Sequence, residues 1–175
     1  MSFFIFLVAL IVLYFIISYR HLIKYHNQVN SIYKTLSNAI DHRFSLFEDL
    51  INKSSTIISH EETFINDIIQ LRLQAQKFKQ NNDLRASFSC EEKISKLAKK
   101  INLLFEEFSL LNKILESQNI QENILKEEIF LLELKNKYNE SVIQYNKKRS
   151  SSWNYITSHL FDVFSIHHDI WIITD

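Results

Sequence analysis

The chain contains no glycine and no proline in 175 residues. Average usage would place about 12 glycines and 9 prolines in this length. Phosphate-cradling loops and dinucleotide fingerprints need glycine wherever backbone approaches a pyrophosphate, so both are excluded. Collagen is excluded on the same ground, and two-residue β-hairpins and proline-rich linkers lose the residues they are built from. A single cysteine, Cys90, can form neither an internal disulfide nor a cysteine metal cluster. Lys+Arg and Asp+Glu both number 20, so the chain lacks the basic excess with which nucleic-acid binders displace counterions. No nucleic-acid partner is expected. What survives is an all-α architecture of long helices and few tight turns.

Charge is also absent locally. Residues 1–19, MSFFIFLVALIVLYFIISY, carry no Lys, Arg, Asp or Glu. As a helix this run comes to about 30 Å, the thickness of a bilayer core. A cleaved signal peptide needs a basic start and a small-x-small cleavage site; Met1-Ser2-Phe3 and Ile16-Ile17-Ser18-Tyr19-Arg20 supply neither. The segment reads as an uncleaved transmembrane anchor, with Tyr14 and Tyr19 as interfacial aromatics. Arg20, Lys24 and Lys34 follow it, with no acid before Asp41. The positive-inside rule then places the N-terminus outside and the body in the cytoplasm.

Beyond the anchor, Leu22, His26, Val29, Tyr33, Leu36, Ile40, Phe44, Phe47 and Ile51 recur at spacings of three and four. That is one face of a helix, continuing the anchor to about residue 58. Three capping patterns follow: Ser59-His60-Glu61-Glu62, Ser89-Cys90-Glu91-Glu92 and Asn119-Ile120-Gln121-Glu122. In each, the first side chain accepts from an orphan backbone N–H and the Glu reaches back. They predict further helices over about 60–80, 90–116 and 120–148, with stripes running from Ile65 through Ile68, Leu71 and Ala75 to Phe78, from Ile94 through Leu97, Ile101, Leu104, Phe108 and Leu111 to Leu115, and from Ile120 through Ile124, Leu131, Leu134, Tyr138 and Val142 to Tyr145. The joints are Gln80-Asn81-Asn82-Asp83 and Ser117-Gln118-Asn119, where Asn takes the left-handed conformation that glycine would otherwise supply. Short joints favour antiparallel neighbours. The expected organisation is a transmembrane anchor (1–19), a cytoplasmic antiparallel four-helix bundle (20–148) and a basic, amphipathic tail (149–175). An extended coiled-coil oligomer is the alternative.

In such a bundle the fourth helix returns toward the membrane. Lys147, Lys148 and Arg149 then lie on the side of Arg20 and Lys24, each worth about 1 kcal/mol at an anionic leaflet. In the tail, Trp153, Ile156, Leu160, Phe161, Val163 and Phe164 share a helical face opposite Asn154, Ser158, Asp162 and Ser165. This pattern fits an interfacial amphipathic helix; packing on the bundle or on a partner subunit is the other reading.

Chemistry is sparse. His60-Glu61 begins a zincin-like pattern, but Phe64 occupies the place of the second histidine. His167 and His168 are adjacent and point to different helix faces. Ser31-Ile32-Tyr33-Lys34 matches S-x-x-K without K-T-G or S-D-N elsewhere. Paired Glu-x-x-His motifs for a di-iron bundle are missing. Cys90 follows an expected N-cap, where the helix dipole would favour thiolate, but a structural or incidental cysteine is the expected reading. No catalytic residue, metal site or cofactor is expected.

Tyr138-Asn139 and Tyr145-Asn146 are two helical turns apart, so the tyrosines share a face, either for core packing or for a partner groove. With Val142 they form Tyr138-Asn139-x-x-Val142-x-x-Tyr145-Asn146, which resembles the YN-x-x-V-x-x-YN signature of the LemA family. Glu128 falls at that family's acid and Lys135 where it usually has Arg. His60-Glu61 matches its HE, Arg43 one of its paired arginines, and Leu46, Phe47 and Leu50 its DLIPNL segment, with Tyr33 at its Trp. Tyr19, Leu22, Ile23, Asn27 and Val29 fit its membrane-proximal stretch. Glu48 and Ser109 stand at family prolines, and Thr56, His159 and Asp162 at family glycines. The resemblance implies a single-pass protein of the bacterial inner membrane with a cytoplasmic four-helix bundle. The expected role is a non-enzymatic scaffold or interaction module, with the bilayer and a protein partner or second copy as partners. A transmembrane signalling adaptor is the alternative. Tyr138, Asn139, Val142, Tyr145, Asn146, His60 and Glu61 are the candidate partner-contact or family-motif residues. Arg20, Lys24, Lys147, Lys148, Arg149 and Trp153 are the candidate membrane-surface residues.

Overall fold

The computed structural model describes residues 1–54, 62–107 and 115–161. They form five helices: α1 (Ser2–Ser54), α2 (Glu62–Gln80), α3 (Leu84–Glu107), α4 (Leu115–Arg149) and α5 (Tyr155–Leu160). No strand occurs among the described residues, and the chain is all-α as its composition requires. Among the described residues two compact units result, one from Met1–Lys34 with residues 136–161, the other from Thr35–Lys135.

In the first unit α1 and α4 run antiparallel. Tyr33 meets Tyr138, His26 meets Tyr145 and Tyr25 meets Lys148, so one number falls as the other rises. Leu22, Val29, Tyr138, Val142 and Tyr145 are fully buried between them. Toward the N-terminus the burial ends. Apolar side chains from Phe3 to Leu13 stand in the open, and this one helix is long and apolar enough to cross a membrane by length and composition.

The second unit packs four helical segments. Its core is Phe47 from α1, Ile68 from α2, Ile94 and Ala98 from α3 and Ile124 from α4, with Phe44, Leu46, Leu71 and Leu97 against it. Neighbouring segments are antiparallel: Ser37 with Lys79 and Asp41 with Arg72 across α1 and α2, and across α3 and α4 Glu92 with Lys135 and, both held by Arg43, Ser95 with Glu128.

The α2–α3 joint shows how the chain turns without glycine. Asn82 adopts φ 58°, the left-handed region. The Asp83 N–H donates to the Phe78 carbonyl at 2.9 Å and the Asn82 N–H to that of Lys79 at 3.1 Å, the paired bonds of a Schellman C-cap. Asp83 then caps the next helix, its carboxylate accepting from the Ala86 N–H at 3.0 Å. This corrects two expected caps. Helix α3 starts at Leu84, so Ser89, Cys90, Glu91 and Glu92 lie inside it; an Asp directly after a left-handed Asn starts the helix first. Asn119 lies within α4, already helical at Leu115, because no breaker stands there and Asn costs a helix only a fraction of 1 kcal/mol, roughly 0.7 at most. The first expected cap, with His60 and Glu61, lies outside the described residues.

Asp83→Ala should lower the unfolding free energy of the full chain in detergent by about 1 kcal/mol. Ser89→Ala, inside a helix, should change it by less than about 0.5 kcal/mol in the same denaturant titration.

Candidate functional site

Four charged residues occupy apolar registers in the second unit. Arg43 lies three after Ile40 and four before Phe47; Arg72 follows Ile68 by four; Glu91 precedes Ile94 by three; Lys135 follows Leu131 by four. The packing that buries their apolar neighbours therefore buries them too. Arg43 and Glu91 are 1% and 2% exposed, and a charge removed from water in this way must be paired.

Glu91 supplies the pairing. Its Oε2 accepts from Arg43 at 2.5 Å and its Oε1 from Arg72 at 2.7 Å, so one carboxylate bridges α1, α2 and α3. The Arg43 guanidinium also donates to Ser95 Oγ at 2.6 Å and to Glu128 Oε1 at 3.0 Å, adding α4. Arg72 reaches Asp41 as well, and its guanidinium lies 5.6 Å from the centre of the Phe44 ring. Beside this layer Lys135 donates to Glu92 at 2.6 Å, and His42 faces Glu127 at 3.1 Å. Arg43 and Glu128, picked out in the sequence by resemblance, thus meet in this layer, and Lys135 pairs with Glu92 beside it. Arg72, Glu91 and Asp41 were not anticipated, although Arg72 and Glu91 stand on apolar stripes.

Such a cluster is better suited to fixing register than to catalysis. Its charged groups pair with one another, with only Arg72 Nε among them left buried without a partner, and no group of three or more His, Cys, Asp or Glu among the described residues could hold a metal ion. Cys90 is buried six residues into α3. Burial chiefly, and then Glu91, push its thiol upward against the opposing pull of Lys93. The residue is past the first turn, so the helix dipole does not favour its thiolate, and it is placed as a structural cysteine would be.

The Tyr-Asn motif lies in the first unit. Tyr138 and Tyr145 are fully buried, their rings 6.0 Å from Tyr33 and 5.7 Å from His26, and Val142 is buried between them. Asn139 and Asn146 are half-buried at the edge. Burial raises the Tyr145 phenol, with Arg149 opposing. His26 faces Asn30 Nδ2 through Nε2 at 2.9 Å, and burial lowers its pKa below 6.5.

The basic residues gather near this seam. Arg20, Lys24 and Lys147 are exposed, Lys148 and Arg149 are half-buried, and Lys148 Nζ lies 5.9 Å from the centre of the Tyr25 ring. Helix α5 and the residues flanking it turn a polar face inward and leave an apolar face outward. Asn154, Thr157 and Ser158 are buried, whereas Trp153, Ile156, Leu160 and Phe161 are exposed. The buried polar groups draw it in. Ser18 Oγ donates to Asn154 Oδ1 at 2.8 Å, and Asn154 Nδ2 donates to the Lys148 carbonyl at 3.0 Å.

Residues 32–168 match the family model described as the LemA family. No curated protein and no solved structure matches the chain.

Glu91→Gln leaves two buried guanidinium groups short of their counter-charge and should destabilise the full chain by about 3–5 kcal/mol. Replacing Arg43, Arg72 and Glu91 together by Met should recover most of that loss, read by the same thermal melt. A separate pH effect follows from His26. Its folded pKa lies below the unfolded value, so its neutral form costs nothing above pH 6.5. As pH falls below 6.5 the unfolded chain takes up a proton that the folded one resists, and stability drops. His26→Gln should flatten that part of the pH–stability curve.

Proposed function

The chain belongs to the LemA family, and on that premise we propose a single-pass protein of the bacterial cytoplasmic membrane. Its helical body is a non-enzymatic scaffold or interaction module at the inner face. The observation that carries this reading is the start of α1, where every residue from Met1 to Leu13 is exposed although nearly all are apolar. Water would disfavour such a surface, and a bilayer covers it. Arg20 and Lys24, exposed just past that run, support a cytoplasmic body by the positive-inside rule. The basic end of α4, drawn to the same stretch of α1 by Lys148 and Tyr25, adds to the same charge bias.

Partner binding draws support from α4. Leu125, Ile129 and Leu132 are 43%, 63% and 51% exposed at helical spacing. They border a cleft of about 240 Å³ that Lys99 and Lys135 also line. Contiguous exposed apolar surface rimmed by charge is typical of protein-contact faces. A second reading, a signalling adaptor, is favoured by the continuity of α1. One helix from Ser2 to Ser54 carries both the apolar run and part of the second unit's core.

A reporter fused after Asp175 should be active only in its cytoplasmic form; activity of a periplasmic reporter there would overturn the orientation. A photoreactive residue at Ile129 in native membranes should yield one reproducible adduct, either a second copy of the chain or one partner protein. Absence of any adduct would remove the interaction reading.

A further inference from the structure

We propose that residues 150–161 form a second membrane element, a short wedge embedded in the leaflet at which the anchor emerges. This rests on the membrane reading of α1. From Trp153 on the segment is largely inside out for a helix in water: three polar side chains turn inward and the apolar ones outward, with His159 the exposed polar exception. Asn154, Thr157 and Ser158 are at most 2% exposed, whereas Trp153 and Leu160 are 58% and 64% exposed. An apolar solvent would produce that arrangement.

Its position along α1 identifies the solvent. The Trp153 ring lies edge-on to Tyr14 at 4.8 Å, and the Tyr14 hydroxyl donates to the Trp153 carbonyl. The Phe161 ring lies 5.1 Å from Tyr19. Tyr14 is five residues inside Tyr19, about 7.5 Å deeper at helical rise. The turn after α4 therefore reaches past the interfacial tyrosine into the uncharged run, and its exposed apolar face continues that of the anchor. The Ser18–Asn154 hydrogen bond pairs two side chains that hydrocarbon would otherwise leave unpaired, and Ser158 donates to the Tyr155 carbonyl at 2.8 Å.

Beside this junction a groove of about 480 Å³ is lined by Val12, Phe15, Ile16, Tyr19 and Phe161, with Arg20 as its one charged wall. An apolar trough bordered by a guanidinium suits a phospholipid acyl chain with its phosphate near Arg20. The occupant is thus bilayer lipid, not a second protein.

The test uses the full chain in phospholipid vesicles. The chain has two tryptophans, so Trp171→Phe leaves Trp153 as the sole reporter. A parallel variant, Phe6→Trp with both native tryptophans changed to Phe, reports on the anchor itself. Lipids brominated on their acyl chains should remove most Trp153 emission, and aqueous acrylamide should remove little. Trp153 quenched by acrylamide and untouched by bromolipid, with the Phe6→Trp reporter quenched by bromolipid, would overturn the wedge and leave the anchor standing. If neither reporter responds to bromolipid, the membrane reading fails and the wedge with it.

Discussion

The carboxylate of Glu91 is the point on which the second unit depends. Two guanidinium groups from two helices share it, and Arg43 extends the contact to a fourth helix through Glu128. Apolar packing alone tolerates small slips of one helix along another. A buried charge does not, because a slip of one turn would leave it unpaired at a cost of several kcal/mol. The layer thus selects one register among those that the apolar stripes allow. A similar preference for specificity over raw stability explains why charge is kept inside a core whose other members are Phe47, Ile68, Ile94, Ala98 and Ile124.

The first unit solves a related problem with neutral groups. Tyr138 and Tyr145 put large rings against α1, and Asn154 hydrogen-bonds to Ser18 and to the end of α4. A hydroxyl–amide pair costs far less to bury than an ion pair, which suits a stretch that adjoins nineteen residues without charge. Polarity is therefore graded along α1, from none at the N-terminus, through Ser18 and His26, to the ionised Arg43.

Much of this was legible from periodicity. Leu22, Val29, Leu36, Ile40 and Phe47 were read as one face, and all are buried. The left-handed Asn of the first joint was legible too, because a chain without glycine has few other ways to close a helix. Two caps were misplaced, since Ser-x-x-Glu and Asn-x-x-Glu spacings also arise inside helices, and only Asp83 followed a residue that ends one. The ionic layer escaped notice because charged residues on apolar stripes look like interruptions. Arg72 and Glu91 could have been found by asking which charges the stripes must carry inward. Which of them pair is a three-dimensional fact, since Arg43 and Glu128 are far apart in sequence and meet only when the helices pack.

One buried carboxylate holds four helical segments in a single register. Amide hydrogen exchange of the full chain in lipid nanodiscs, wild type against Glu91→Gln, tests it most directly. Amides around Arg43, Arg72, Ile94 and Glu128 should exchange together at one slow rate and accelerate together in the variant. Acceleration confined to α3, with the other three segments unchanged, would contradict it.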